Sequence, residues 1–151
     1  INRAVIAAEL LRKGYITDIG QALKGLLSKQ NGFYVPPKRI SAFDAIRFLS
    51  KLHAVPVLAH PFLSMTEPQI RSFLPPAKEC GLAAMETHYV SNTEQIAACS
   101  VSIASEYGLL ESGGSDYHGK NKPAIRLGTG TGALKVPISF AQKLRAASLQ
   151  K

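Results

Sequence analysis

The chain is 151 residues long, enough for one domain with a real core, and its 46% hydrophobic and 19% charged residues exclude a disordered chain. No apolar run approaches the ~18 residues that span a bilayer, no segment is laid out as a signal peptide, and Cys80 and Cys99 are too few for a disulfide framework, so a cytoplasmic protein away from membranes is expected. Eighteen Lys and Arg against ten Asp and Glu, a net charge of +8, favour phosphate-bearing partners, although the basic residues are scattered and form no nucleic-acid tail.

The first residue is Ile1, and "INRAVIAAELLRKGY" reads as the middle of an amphipathic helix, so a piece of a longer protein is expected. Residues 3–13 carry Val5, Ile6, Leu10 and Leu11 at helical spacing and stop at Gly14. A second helix is predicted over 18–29, from Ile19, Leu23, Leu26 and Leu27, with Asp18 or Thr17 as its cap. "NGFYVPPKR" is an extended connector, because each proline fixes φ and removes an amide donor. A third helix starts at "SAFD", a near capping box of Ser41 and Asp44, and runs to about His53.

The period then changes. "AVPVLAHP" is a short apolar run ended by Pro61 and reads as a buried strand. "EPQIRSFLPPAKECG" is a helix predicted to break near Pro75 and Pro76, and "LAAMETHYV" is a second strand. "NTEQIAACSVSIASEYG" is a helix capped by Asn92 and closed by Gly108; "LLESGGSDYHG" is a third strand; "VPISFAQKLRAASLQ" is a terminal helix. From residue 41 onward, helices and strands alternate, the pattern of an α/β fold with a parallel sheet. The expected organisation is a helical insertion or lid over 1–40 and an α/β region over 41–151.

In parallel α/β architectures chemistry gathers at the carboxyl ends of strands. His60 ends the first strand, His88 follows "AAMET", and Asp116 and His118 follow the third strand. His53 lies late in a helix instead, where a cation complements the dipole. Each residue has a plainer reading: His60 as a strand-end hydrogen-bonder, His88 as part of a polar turn, Gly-Gly-Ser-Asp as a tight turn. Chance does not often place all of them on three successive strand ends. Imidazole with carboxylate suits zinc, manganese or iron. Gly113 and Gly114 allow close backbone approach, and Lys120 and Lys122 stand near where a phosphate would lie.

"VPVLAHP", "GLAAMETHY" and "YGLLESGGSDYHGKNKPAIRLGTG" resemble, in order and spacing, the PHP (polymerase and histidinol phosphatase) family of phosphoesterases, especially its branch acting on nucleoside bisphosphates and short oligonucleotides. "AVIAAELLRKGY" and "ALKGLLSKQNGFYVP" are similar to that branch's helical insertion. The resemblance implies a distorted β/α barrel of parallel strands, of which this chain is the C-terminal part preceded by the insertion. It implies His60, Asp116 and His118 as ligands in a cluster of several divalent ions (manganese, zinc or iron). His88 and Lys120, with Lys29 and Arg39 of the insertion, are implied as substrate or phosphate contacts, and Tyr34 lies where the insertion would face substrate. The family's first-strand His-x-His and its next ligands have no counterpart here, so the isolated chain is expected to be inactive, with a second chain as one way to complete the barrel. The implied substrate is a phosphorylated small molecule or short oligonucleotide. A metal-dependent amidohydrolase, or a non-catalytic module binding nucleic acid or a subunit, are the competing readings.

Overall fold

A computed structural model of the chain describes residues 3–31, 33, 35 and 38–149. It divides into two compact units, Ile1–Arg39 and Ile40–Lys151.

The first unit holds helices α1 (Arg3–Arg12) and α2 (Ile19–Lys24). Ala7, Ile16, Ala22 and Leu27 form a small core, with Leu10, Ile19 and Leu23 packed against it. Asp18, not Thr17, caps α2: its side chain accepts the Gln21 amide at 3.0 Å. The predicted second helix is cut short at Lys24. Gly25 takes a non-helical conformation (φ −100°, ψ −105°) in which a Cβ would stand 2.6 Å from the Gln21 carbonyl oxygen. The chain turns there, and Leu27 is buried from the turn rather than from a helical face. Tyr34 lies outside the described residues.

The second unit is a βα alternation. Helix α3 (Ala42–Lys51) begins at Ser41, whose Oγ accepts the Asp44 amide at 3.1 Å and donates to the Asp44 carboxylate at 2.7 Å. The shorter Asp thus answers the hydroxyl rather than the backbone N–H that a Glu would reach. His53 lies beyond the end of α3, in the turn that follows, with φ +57°. Then come β1 (Val57–Leu58), α4 (Glu67–Glu79), β2 (Ala84–Tyr89), α5 (Glu94–Glu106), β3 (Leu110–Gly114) and α6 (Ile138–Leu149). The three strands form one parallel sheet in the order β1-β2-β3, as the alternation predicts. Successive parallel neighbours need a crossover helix each, and α4 and α5 supply them. Ile46, Ile70, Leu74, Ala77, Met85, Ile103 and Leu109 are among the buried side chains that join α3, α4 and α5 to the sheet.

Two further helix expectations are corrected. Helix α4 runs unbroken through Pro75 and Pro76. Proline at 75 denies the Arg71 carbonyl its helical donor, and the Tyr107 hydroxyl supplies a replacement at 3.3 Å. The packed face, with Ile70, Leu74 and Ala77 fully buried, holds the remaining geometry. Helix α5 is capped by Thr93, whose Oγ1 accepts the Ile96 amide at 3.2 Å; Asn92 turns back instead and donates to the Thr87 carbonyl.

Candidate functional site

Parallel strands all end on one edge of the sheet, so the loops after β1, β2 and β3 are neighbours by construction. Glu86 sits in β2 between buried Met85 and Thr87, and its Oε2 accepts the His60 backbone amide at 2.6 Å. His60 follows β1 in a left-handed conformation, φ +30°, that a non-glycine residue adopts only when something holds it. The Glu86 carboxylate is that something. Gly114, at the end of β3, lies so close that an added Cβ would stand 3.2 Å from Glu86 Oε1, so the bare backbone makes room for the carboxylate.

Tyr89 is the second organiser. Its ring is buried, packs 5.3 Å from the His60 ring between centroids, and its hydroxyl donates to Asp116 Oδ2 at 3.2 Å. Asp116 follows β3 with φ +51°, so the residues at both strand ends, His60 and Asp116, are left-handed. His118 Nδ1 donates to the Asp116 carbonyl at 2.7 Å, so Nε2 is the ring nitrogen that this bond leaves open. Lys122 reaches back across the Gly119–Asn121 3-10 turn and donates to Asp116 Oδ2 at 2.6 Å.

The charges follow. The Lys122 ammonium beside it holds the Asp116 carboxyl below the usual carboxylate range, and the carboxylate in turn raises Lys122. Burial pushes Glu86 up, opposed by the bond from the His60 amide and reinforced by the Asp116 charge. Burial and the Asp116 charge raise the Tyr89 phenol as well, so it stays a donor.

The structure thus links His60 to Glu86 and Tyr89, and Tyr89 to Asp116, while among the described residues the polar side-chain contacts of His118 are to Asp116 alone. His88 is within β2 rather than on a turn after it, and its contacts are to other residues. Its Nδ1 lies 2.9 Å from Thr87 Oγ1 and 3.9 Å from Glu111 Oε2, and its ring meets Phe140 edge-on. Beside it, a cavity of about 340 Å³ is lined by His88, Tyr89, Asn92, Thr93, Leu134 and Lys135, and Tyr89 is common to cavity and cluster. Lys120 is exposed in the 3-10 turn. Lys29 and Arg39 are exposed residues of the first unit. Lys122 is bound to Asp116 instead of lying open for a phosphate. Glu86 and Tyr89 were not singled out from the sequence, though a carboxylate amid the apolar "LAAMETHY" is the kind of signal that marks one.

The donor types, imidazole and carboxylate, suit a divalent metal, and the His118 tautomer leaves a ring nitrogen for it. Among the described residues, however, no three His, Cys, Asp or Glu side chains are grouped so as to hold an ion by themselves. The described residues fit part of a metal site.

No family model matches the chain. It is 37% identical over 83 residues to a phosphoribosyl 1,2-cyclic phosphate 1,2-diphosphodiesterase of Eggerthella lenta, a match covering 54% of this chain and 29% of the relative. In fold, it matches a Bifidobacterium adolescentis protein assigned as a metal-dependent phosphoesterase (TM-score 0.75, 24% identity), covering 97% of this chain and 50% of that one. It also matches an amidohydrolase of Chromobacterium violaceum with bound sulfate and no metal (TM-score 0.72, 22% identity), covering 97% and 51%. The chain therefore spans under a third of the curated relative and about half of each solved chain. No helix among the described residues is long and apolar enough to cross a membrane. The parallel sheet and these likenesses show that the chain shares the α/β fold of both solved structures and is similar in part to the curated relative.

Proposed function

We propose that the chain forms one side of the catalytic centre of a metal-dependent phosphoesterase acting on nucleotides or short oligonucleotides. The observation that supports this reading is Tyr89, whose ring packs against His60 after β1 and whose hydroxyl donates to Asp116 after β3, where His118 bonds the Asp116 carbonyl. Asp116, His118 and His60 would hold the metal, with further donors from protein outside these residues. A divalent ion in such a site lowers the pKa of bound water and stabilises charge on phosphoryl oxygens. The chain's own residues bind and orient. Lys120 and His88 offer positive or hydrogen-bonding contacts to phosphate, and the cavity beside Tyr89 gives the leaving group room. Lys29 and Arg39 are proposed as further phosphate contacts from the first unit. Glu86 fixes the His60 turn by accepting its backbone amide. Because the donor set is partial, the isolated chain turns over negligibly, with a second chain as one way to complete it.

The net charge of +8 favours a phosphate ester over an amide substrate. The test is elemental mass spectrometry on the wild type and on Asp116→Ala/His118→Ala, followed by phosphate-release and amide-cleavage assays on the metal-loaded protein. Manganese, zinc or iron lost in the double variant, with phosphate released from nucleoside bisphosphates on completing the donor set, supports the reading. Amide cleavage in its place would favour the amidohydrolase reading. Metal-free oligonucleotide binding with a steep salt dependence would favour a binding module.

A further inference from the structure

We infer that the loop after β3 is a docking surface for an acidic segment of a partner protein that carries apolar side chains between its carboxylates. The inference does not rest on the metal reading. Residues 117–151 contain seven Lys and Arg and no Asp or Glu, whereas residues 1–116 contain eleven and ten. Nearly all of the chain's positive excess therefore lies in its last 35 residues.

The fold leaves these charges unanswered. Lys120, Arg126 and Lys135 are exposed residues between β3 and α6. Among the described residues, Lys122 is the only cation of that loop with a carboxylate partner, Asp116 at 2.6 Å. The loop is nevertheless held in place. The Arg126 amide donates to the Gly130 carbonyl at 2.8 Å, the Gly130 amide returns the bond at 3.0 Å, and the Gly128 amide donates to Ser115 Oγ at 3.2 Å. Gly130 lies so close to the Val90 side chain that a Cβ has no room there, which seats the hairpin against the residue after β2. Lys135 borders the cavity beside Tyr89, at the same edge of the sheet. The closed turn presents Leu127 outward at 75% exposure, next to Arg126.

Holding like charges together costs self-repulsion, and a surface that keeps them exposed suits a partner of opposite sign. The side chains among the cations narrow the choice. A single-stranded nucleic acid calls for aromatic rings on which bases stack, and among the described residues from 117 onward Tyr117 is the one exposed ring. Leu127 and Ile138 are exposed aliphatics instead. Such side chains gain from burial against apolar groups, not against phosphates. A second copy of the chain brings the same charge of +8 and is repelled. Carboxylates spaced by apolar side chains answer both features: Lys120, Arg126 and Lys135 pair with the acids, and Leu127 is covered.

The test is fluorescence anisotropy on the whole chain in EDTA, so that no metal contributes, with a labelled peptide of glutamates interspersed with leucines. Polyglutamate and a single-stranded oligonucleotide of equal charge are the competitors. The peptide should bind about tenfold more tightly than polyglutamate, the gain from covering one largely exposed leucine. Leu127→Ser should remove that preference. Lys120→Gln/Arg126→Gln/Lys135→Gln should weaken binding roughly tenfold. Lys24→Gln/Lys51→Gln/Lys143→Gln, which takes the same charge from exposed positions elsewhere, should change it little. Circular dichroism checks that each variant folds. Absent peptide binding, or an equal loss in the two triple variants, overturns the docking surface. Polyglutamate that matches the peptide overturns the part given to Leu127. An oligonucleotide that displaces the labelled peptide better than the unlabelled peptide does assigns the loop to nucleic acid and overturns the protein partner. Because EDTA is present throughout, each of these outcomes leaves the metal reading standing.

Discussion

The Glu86 carboxylate accepts the backbone amide of His60 at 2.6 Å, joining the middle of one strand to the end of its neighbour. Because His60 is held at φ +30°, the side chain that satisfies its amide also holds a turn that the backbone would otherwise relax.

Glu86→Ala should therefore destabilise the protein by about 1–3 kcal/mol, the cost of a partly buried N–H left without its acceptor. Glu86→Gln keeps an acceptor oxygen and should recover most of that loss. Urea denaturation of the two variants measures the difference, and equal losses would mean that Glu86 does not organise the turn.

Gly113 is required for steric reasons. An added Cβ would stand 2.7 Å from the His88 carbonyl oxygen, 2.8 Å from His88 Cβ and 2.9 Å from Val136 Cγ2. Two of those belong to the neighbouring strand's backbone and Cβ, which cannot swing away. Gly113→Ala should cost about 1–3 kcal/mol, whereas Gly114→Ala, facing only the movable Glu86 carboxylate, should cost less. A thermal melt showing the opposite order would contradict the packing of β2 against β3.

Leu74 is fully buried in the core between α3, α4 and the sheet. Leu74→Ala should cost about 2–5 kcal/mol, depending on how far the cavity collapses. A loss under 1 kcal/mol by denaturant titration would place Leu74 outside a packed core.

Arg71 holds Glu67 at 2.8 Å and also pairs with Glu106. The guanidinium, with a smaller contribution from the Cys99 thiol, lowers the Glu67 carboxyl below its usual 4.5. A carboxyl lowered in the folded state stabilises the protein above its unfolded pKa and loses that contribution as pH falls through the folded one. Wild type should thus exceed Arg71→Met in stability at pH 7, and the gap should narrow below about pH 4.5 as Glu67 takes up its proton. Both side chains are exposed enough that the gap is small. A gap that stays constant down to pH 3 would mean that the pair contributes through packing alone.

Local physics carried much of this protein. Periodicity separates the helices from the strands, and Ser41 and Asp18 announce their caps because a cap involves residues three positions apart. The alternation after residue 41 determines a parallel sheet, and a parallel sheet places His60 and Asp116 at a common edge before any coordinate is known. Tertiary contact decided the remainder. Pro75 reads as a helix breaker until the Tyr107 hydroxyl, far along the chain, satisfies the carbonyl it orphans. Glu86 looks like a stray charge until the His60 amide arrives from the neighbouring strand, and Lys122 reads as a phosphate contact until the turn before it closes onto Asp116. Sequence specifies which groups can bond at short range; only the folded chain decides which distant donor meets which acceptor, because that choice depends on strand register and turn closure rather than on spacing.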